Sequence, residues 1–397
     1  QSSIVGHYAG QYIVGSEVTL IGQQAGRYAS GSRNTFVGGQ AGLGGTTSAP
    51  YSSGQYNVAM GYAAFDAFTT GNLNVAIGYQ ALSAETIGIS TVAIGDNAGR
   101  SQNFGSHGTT GNTLVGSGAG FHNVTGTGNT YIGNASGTGA SGQSNNNNTA
   151  VGNATLQNIT TGQKNVAIGG GAGNDLTSGD SNVLLGYQAG DNITTKGALI
   201  AIGEGALGGI TSTTGDGTIA IGHGAMGGAQ LGDGNIAIGY QSMVNANSSN
   251  LNRNTALGYE TMANVGSNGP DDNVAIGYRA FKDLTTANYS TAVGSHAGYS
   301  LTTGTENTAL GYASLYHNVS GDYNTAIGRG AGARFSNDDS TAIGYYAGHY
   351  ASGSDNTFVG AEAGKGGTTS APYSSGQYNV AMGTEALKAF TTAQRMV

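Results

Sequence analysis

The chain has 397 residues, 74 of them Gly, only 9% charged, with no Cys, no Trp and a formal charge of −8. Without Cys there are no disulfides or thiolate metal sites, and 13 thinly spread basic residues make no surface that neutralises phosphates. The Gly is periodic and Pro occurs three times, which excludes collagen, and no apolar run approaches the ~20 residues of a membrane helix. Large apolar side chains are scarce, so no thick globular core is expected. No basic segment followed by an apolar one stands at Gln1, so no signal peptide is visible.

One unit recurs along the whole chain: Asn, Thr or Val, Ala, Ile, Gly, two variable residues, Ala. Good copies are Asn74-Val75-Ala76-Ile77-Gly78-Tyr79-Gln80-Ala81-Leu82 and Asn273-Val274-Ala275-Ile276-Gly277-Tyr278-Arg279-Ala280-Phe281. With the Gly as anchor, a short strand is expected just before each of 22 anchors. In chain order, Gly6, Gly22 and Gly38 are 16 apart, Gly61 follows after 23, Gly78 and Gly95 at 17, and Gly116 after 21. From Gly116 to Gly328 the spacing is 17 or 19. Gly328, Gly344, Gly360 and Gly383 then repeat 16, 16 and 23. The mean period is about 18.

The columns of this alignment carry the physics. The residue before the Gly is aliphatic in all 22 copies, and the residue three before is Thr, Val or Ile in 21. These share one face of a strand, because side chains alternate with period two. The residue between them is Ala in 15 copies and otherwise Ile4, Leu20, Phe36, Leu114, Tyr131, Leu184 or Phe358, never charged. Two apolar faces imply burial on both sides: one inside a coil, the other against another chain. Ile77, Ile94, Ile168, Ile238, Ile276 and Ile327 are therefore expected in the structural core. Three residues after the Gly the side chain is always small, and one further on it is Gly in 12 copies or large and apolar in 10. The remainder is rich in Gly and Asn, which tolerate the positive φ of tight corners.

Such a unit is one turn of a β-solenoid. The expectation is an all-β chain of about 22 turns, a single array over residues 1–397 with no second domain. The Asn four before the Gly occurs in 15 copies; it either forms a ladder of amides between turns or merely starts the strand after a turn. A longer cycle is also present: residues 44–61 and 366–383 are identical over 18 positions, 322 residues apart. No cap is visible at either end, so a section of a longer fibre, or a subunit stacking end to end, is expected.

The Asn-Val-Ala-Ile-Gly unit followed by a small residue resembles the head repeats of YadA-like trimeric autotransporter adhesins. The variant with Gly-Tyr-Gln-Ala and Thr-Thr-Gly corners resembles repeat shafts of phage and bacterial tail fibres. The resemblance covers essentially the whole chain. It implies a left-handed parallel β-roll, a parallel homotrimer, and attachment to a surface. The adhesin head unit is shorter than the common 17-residue spacing here, and no coiled-coil stalk or membrane anchor is seen.

Enzyme chemistry finds no support. The seven His sit at different phases of the repeat and make no metal-ligand spacing. No pair of carboxylates is marked for glycoside hydrolysis, and the Gly-x-Gly strings precede no helix. No cofactor is expected, nor nucleic acid, nor membrane insertion. Tyr follows the Gly in eight copies, and stacking would align Tyr240, Tyr259 and Tyr278, either as a surface for sugars or as a seam between chains. The three long intervals bring Tyr51 and Tyr56, Phe104 and His107, and Tyr373 and Tyr378 into loops where recognition can sit; these are the candidate receptor or glycan contacts. An ice-binding solenoid would need a regular Thr array, and the Thr column here alternates with Val and reads as buried. The expected function is the shaft of an extracellular attachment fibre, on a virion or a cell surface, acting by avidity toward a glycan or protein receptor. The alternative is a self-stacking extracellular filament without a specific receptor.

Overall fold

The computed structural model spans residues 1–397 and describes all but 106–107, 210–214, 229–231, 246–250, 267, 368–372 and 393. It comprises two compact units, Gln1–Ala198 and Leu199–Val397. Each is a β-solenoid of eleven three-residue strands, from Ser3–Val5 to Val183–Leu185 in the first and from Ile200–Ile202 to Val380–Met382 in the second. No helix occurs among the described residues. Within a unit every strand pairs in parallel with the next, without slippage. Val75, Ala76 and Ile77 face Val92, Ala93 and Ile94; Val274, Ala275 and Ile276 face Thr291, Ala292 and Val293. Register is fixed because a one-residue slip would exchange the two faces of the strand.

The anchor Gly is fixed by two constraints at once. Gly78 has φ +132°, where L side chains are rarely found, and a Cβ there would lie 2.3 Å from the carbonyl oxygen of Gly95 on the next turn. Two and four residues later the chain turns through left-handed backbone, as at Gln80 (φ 51°) and Leu82 (φ 50°). For a side-chain-bearing residue that conformation costs about 1–2 kcal/mol. Fully burying a Leu or Phe returns roughly 1.5–3 kcal/mol, and Leu82, Phe65, Phe281 and Leu315 are fully buried. Burial therefore outweighs strain where the fourth residue is large, and Gly removes the strain where it is not.

The interior of each coil is built by the middle residue of the strand and this fourth residue. Ala76, Ala93, Ala275 and their equivalents are fully buried, as are Leu20, Phe36, Leu114, Tyr131, Leu184 and Phe358. Volumes are matched between the two positions. In all seven copies with a large middle residue, from Ile4 to Phe358, the fourth residue after the anchor is Gly. A Cβ on Gly42 would lie 2.4 Å from the Phe36 ring, and one on Gly137 2.4 Å from Tyr131. Close packing at crystal-like density leaves no room for two large groups.

The placement of the aliphatic columns corrects the sequence reading. Ile77, Ile94, Ile168, Ile238, Ile276 and Ile327 are not inside the coil. They point outward with the Thr/Val column beside them; Ile94 is 37% and Ile168 44% exposed, and the other four are half-buried. Where the fourth residue after the anchor is large it already fills the coil, as Leu82 does, so Ala takes the inner face there. For the same reason the Thr column is not buried: Thr291, Thr308, Thr325, Thr341 and Thr357 stand half-exposed on successive turns.

The Asn column forms a ladder. Asn74 Nδ2 donates to the Gly88 carbonyl at 2.9 Å, and its Oδ1 accepts from Thr91 N–H at 2.9 Å on the next turn. Asn165, Asn254, Asn273 and Asn307 make the same pair of bonds. Where Ser290 and Ser340 replace Asn, the hydroxyl accepts the next turn's N–H instead. Asn74 is fully buried. Asn74→Ala should leave a buried N–H and a buried carbonyl without partners, at about 1–3 kcal/mol for each. A lowered urea midpoint, read by circular dichroism, would show this; an unchanged midpoint would make the Asn a mere turn former.

Candidate functional site: an aromatic and basic surface

Turn stacking converts sequence columns into rows of rings. In the column directly after the anchor, Tyr240 and Tyr259 stack at 5.0 Å between centroids and Tyr259 and Tyr278 at 5.5 Å. His223 stacks below at 5.3 Å, and His296 meets Tyr278 edge-on at 5.1 Å. Each Tyr is 41–43% exposed. The alignment expected from the sequence is thus present, on the outer surface of the second unit.

A second aromatic column lies five residues after the anchor, where the chain has turned away from the strand. Tyr299 and Tyr316 stack there at 5.1 Å with planes 4° apart. The next turn carries Ala333 in that column and the one after it His349. Ala313 and Gly330 are also small at neighbouring positions, so a rung is missing from the row. The resulting hollow has a volume of about 160 Å³ and is lined by Ala313, Tyr316, His317, Ala333, Arg334 and His349. His349 is held in place by its Nδ1, 2.8 Å from the Gly330 carbonyl, and by Tyr346 edge-on at 4.5 Å.

The hollow is electropositive. Burial, followed by the charge of Arg334, holds His317 below the ordinary histidine range. Burial also lowers His349; its bond to Gly330 opposes this, and Lys365 and Arg334 add to the lowering. Among the described residues Arg334 has no carboxylate partner within salt-bridge distance, unlike Arg279 and Lys365, which pair with Glu260 and Glu362. The Arg334 guanidinium lies over the Tyr373 ring at 4.8 Å, and Tyr373 stacks with Tyr350 at 6.3 Å.

The residues singled out from the loops separate into groups. Tyr373 borders this surface through Arg334. Tyr51 belongs to its counterpart 322 residues earlier, stacking on Tyr12 at 4.8 Å and Tyr28 at 6.3 Å. Tyr12 there takes the place that Arg334 has here. Tyr56 and Tyr378 stand exposed, each beneath an arginine, Arg33 at 5.2 Å and Arg395 at 5.9 Å. Phe104 is half-buried, and its N–H donates at 3.3 Å to Glu85, a fully buried carboxylate that also accepts from Gly88 N–H and Gln102 Nε2. This corner is structural. His107 lies outside the described residues.

Tyr316, Arg334 and His349 were missed by sequence reasoning. The available signal was the column itself, in which Ala333 interrupts a run of aromatic and basic residues. No group of three or more His, Cys, Asp or Glu able to hold a metal occurs among the described residues. No helix among them is long and apolar enough to cross a membrane. Comparison with known proteins finds no family model that matches the chain and no curated protein that matches it.

Proposed function

We propose that this chain forms the shaft of an extracellular surface-attachment fibre, three parallel copies packing through their outward aliphatic faces. The observation that carries this reading is the face itself. In each unit two neighbouring columns, of Thr, Val, Ile, Leu and Met apart from Ser3, run along the strands. Ile21, Met60 and Ile168 in the first unit and Leu257 and Leu310 in the second are 41–44% exposed. No charge enters either column. Continuous exposed apolar surface of this kind marks an interface, and an uncharged stripe is complementary to copies of itself. The left-handed β-roll trimers that the repeat resembles supply the geometry, with the role of holding a glycan- or protein-binding surface away from a virion or cell. The chain has no catalytic part in this role.

Sedimentation and SDS gel electrophoresis of the purified chain test it. A trimer of fixed mass that resists SDS is expected. A mass that climbs with concentration would indicate the self-stacking filament instead, and a monomer would remove the three-chain reading. One observation favours a second function for the same face: the five successive outward Thr from Thr291 to Thr357, a regular hydroxyl-and-methyl row suited to ordered water. Thermal hysteresis from a monomeric chain would establish that reading.

A further inference from the structure

We propose that the gap in the aromatic column between Tyr316 and His349 binds one ring of an acidic polysaccharide, a uronic acid residue whose carboxylate meets Arg334. This names a ligand class for the attachment fibre and rests on that reading. The hollow is walled by the Tyr316 ring on one side and by His349 on the other, with Ala333, itself buried, between them. Aromatic stacking favours centroid separations of roughly 4.5–7 Å. The hollow's 160 Å³ is close to the ~150 Å³ of an apolar cavity that takes up benzene, which suits one six-membered ring.

The walls define the chemistry of the ring. Tyr316 has one face covered by Tyr299 and the other directed toward the gap. A pyranose presents C–H groups to such a face. Arg334 lies on the turn of Ala333, at the rim, and its planar fork matches a carboxylate with two parallel hydrogen bonds. His349, whose Nδ1–H is held by the Gly330 carbonyl, offers Nε2 as an acceptor for a ring hydroxyl, and His317 adds a second imidazole edge. No carboxylate lines the hollow, so an acidic sugar meets no like charge there.

The chain contains its own comparison. Residues 12, 28 and 51 correspond by the 322-residue cycle to 334, 350 and 373. In the first unit the place of Arg334 is filled by Tyr12, which stacks on Tyr28 at 5.4 Å and on Tyr51 at 4.8 Å. Arg27, the counterpart of His349, lies over Tyr28 at 5.0 Å and donates from Nε to Oε1 of Gln11, the counterpart of Ala333, so the row is filled there. The second unit differs in having Ala at 333 and Arg at 334, which leaves a hollow with a cation beside it and gives that unit its selectivity for an anion.

Calorimetric titration of the full chain with galacturonic acid oligomers and, separately, neutral galactose oligomers tests the proposal. Binding of the acidic oligomer is expected at least tenfold tighter than the neutral one, weakening as salt rises. Arg334→Gln should lose that tenfold preference and leave the melting curve unchanged. Ala333→Tyr should complete the row, fill the hollow and abolish binding of both, with the fold intact by circular dichroism. Equal affinity for the two oligomers, no binding of either, or undiminished binding by Ala333→Tyr would each overturn the site. A chain that binds no uronate yet forms the SDS-resistant trimer defeats this inference alone, and a monomer that binds uronate through Arg334 defeats the fibre alone.

Discussion

Replacing Ala76 with Phe is expected to destabilise the first unit by about 1–3 kcal/mol, the usual cost of overpacking, and replacing Leu82 with Gly in the same chain should recover most of the loss. Ala76 is the inward residue of the strand Val75–Ile77, and Leu82 fills the coil opposite it on the same turn, both fully buried. A Phe at 76 competes with Leu82 for one space. Leu82→Gly alone removes a fully buried side chain, at roughly 2–5 kcal/mol by analogy with truncation to Ala. It also releases the φ of 50° at that position, which offsets about 1–2 kcal/mol. The pair Phe with Gly is already used by this chain at Phe36 with Gly42 and at Phe358 with Gly364. Urea unfolding of the four chains of the cycle should therefore give a coupling of roughly 1–3 kcal/mol, as for residues in contact. Strictly additive effects would show that the two positions do not share a volume, and the matched packing of the coil would be abandoned.

The same positions show how much of the fold was legible in the sequence. Period, strand position and in-register stacking follow from the anchor Gly and its aliphatic neighbour, because only a stacked turn gives each short strand a partner. The Asn ladder was one of two open readings, and the bonds from Asn74 to Gly88 and Thr91 decide it. Which of the two apolar faces turns inward is left open by the sequence. Ile77 and Ile94 are more hydrophobic than Ala76 and Ala93, and hydrophobicity alone assigns them to the core. The deciding quantity is space. The large side chains four residues after the anchor already fill the coil, and the pairing of Phe36 with Gly42 and of Ala76 with Leu82 records that limit in sequence. The hollow beside Tyr316 was illegible for another reason. Its walls, Tyr316, Arg334 and His349, come from three consecutive turns and share no motif, so only the column alignment brings them together.

In the second unit, Ile276→Lys together with Ile327→Lys should turn the proposed trimer into monomers without lowering the melting temperature of the coil. Both residues lie on the outer face, half-buried in the single chain, and a Lys there can lay its stem along the strand and keep its ammonium in water. The coil interior, formed by Ala275 and Ala326, both fully buried, is untouched. In a three-chain assembly the same side chains would be buried among their counterparts. Half of each Ile is already covered in the single chain, so association buries the other half, about 0.8–1.5 kcal/mol each, and two positions in three chains forfeit roughly 5–9 kcal/mol, before the cost of gathering like charges in an apolar seam. That is comparable to the whole free energy of a micromolar association, about 8 kcal/mol. Thr161→Lys, at an exposed corner of the first unit, should leave the sedimentation coefficient unchanged and serves as the control for added charge. Ile276→Lys with Ile327→Lys that sediments as the parent chain does would place the chain-to-chain contact elsewhere, and the aliphatic face would then be free for water or for another partner.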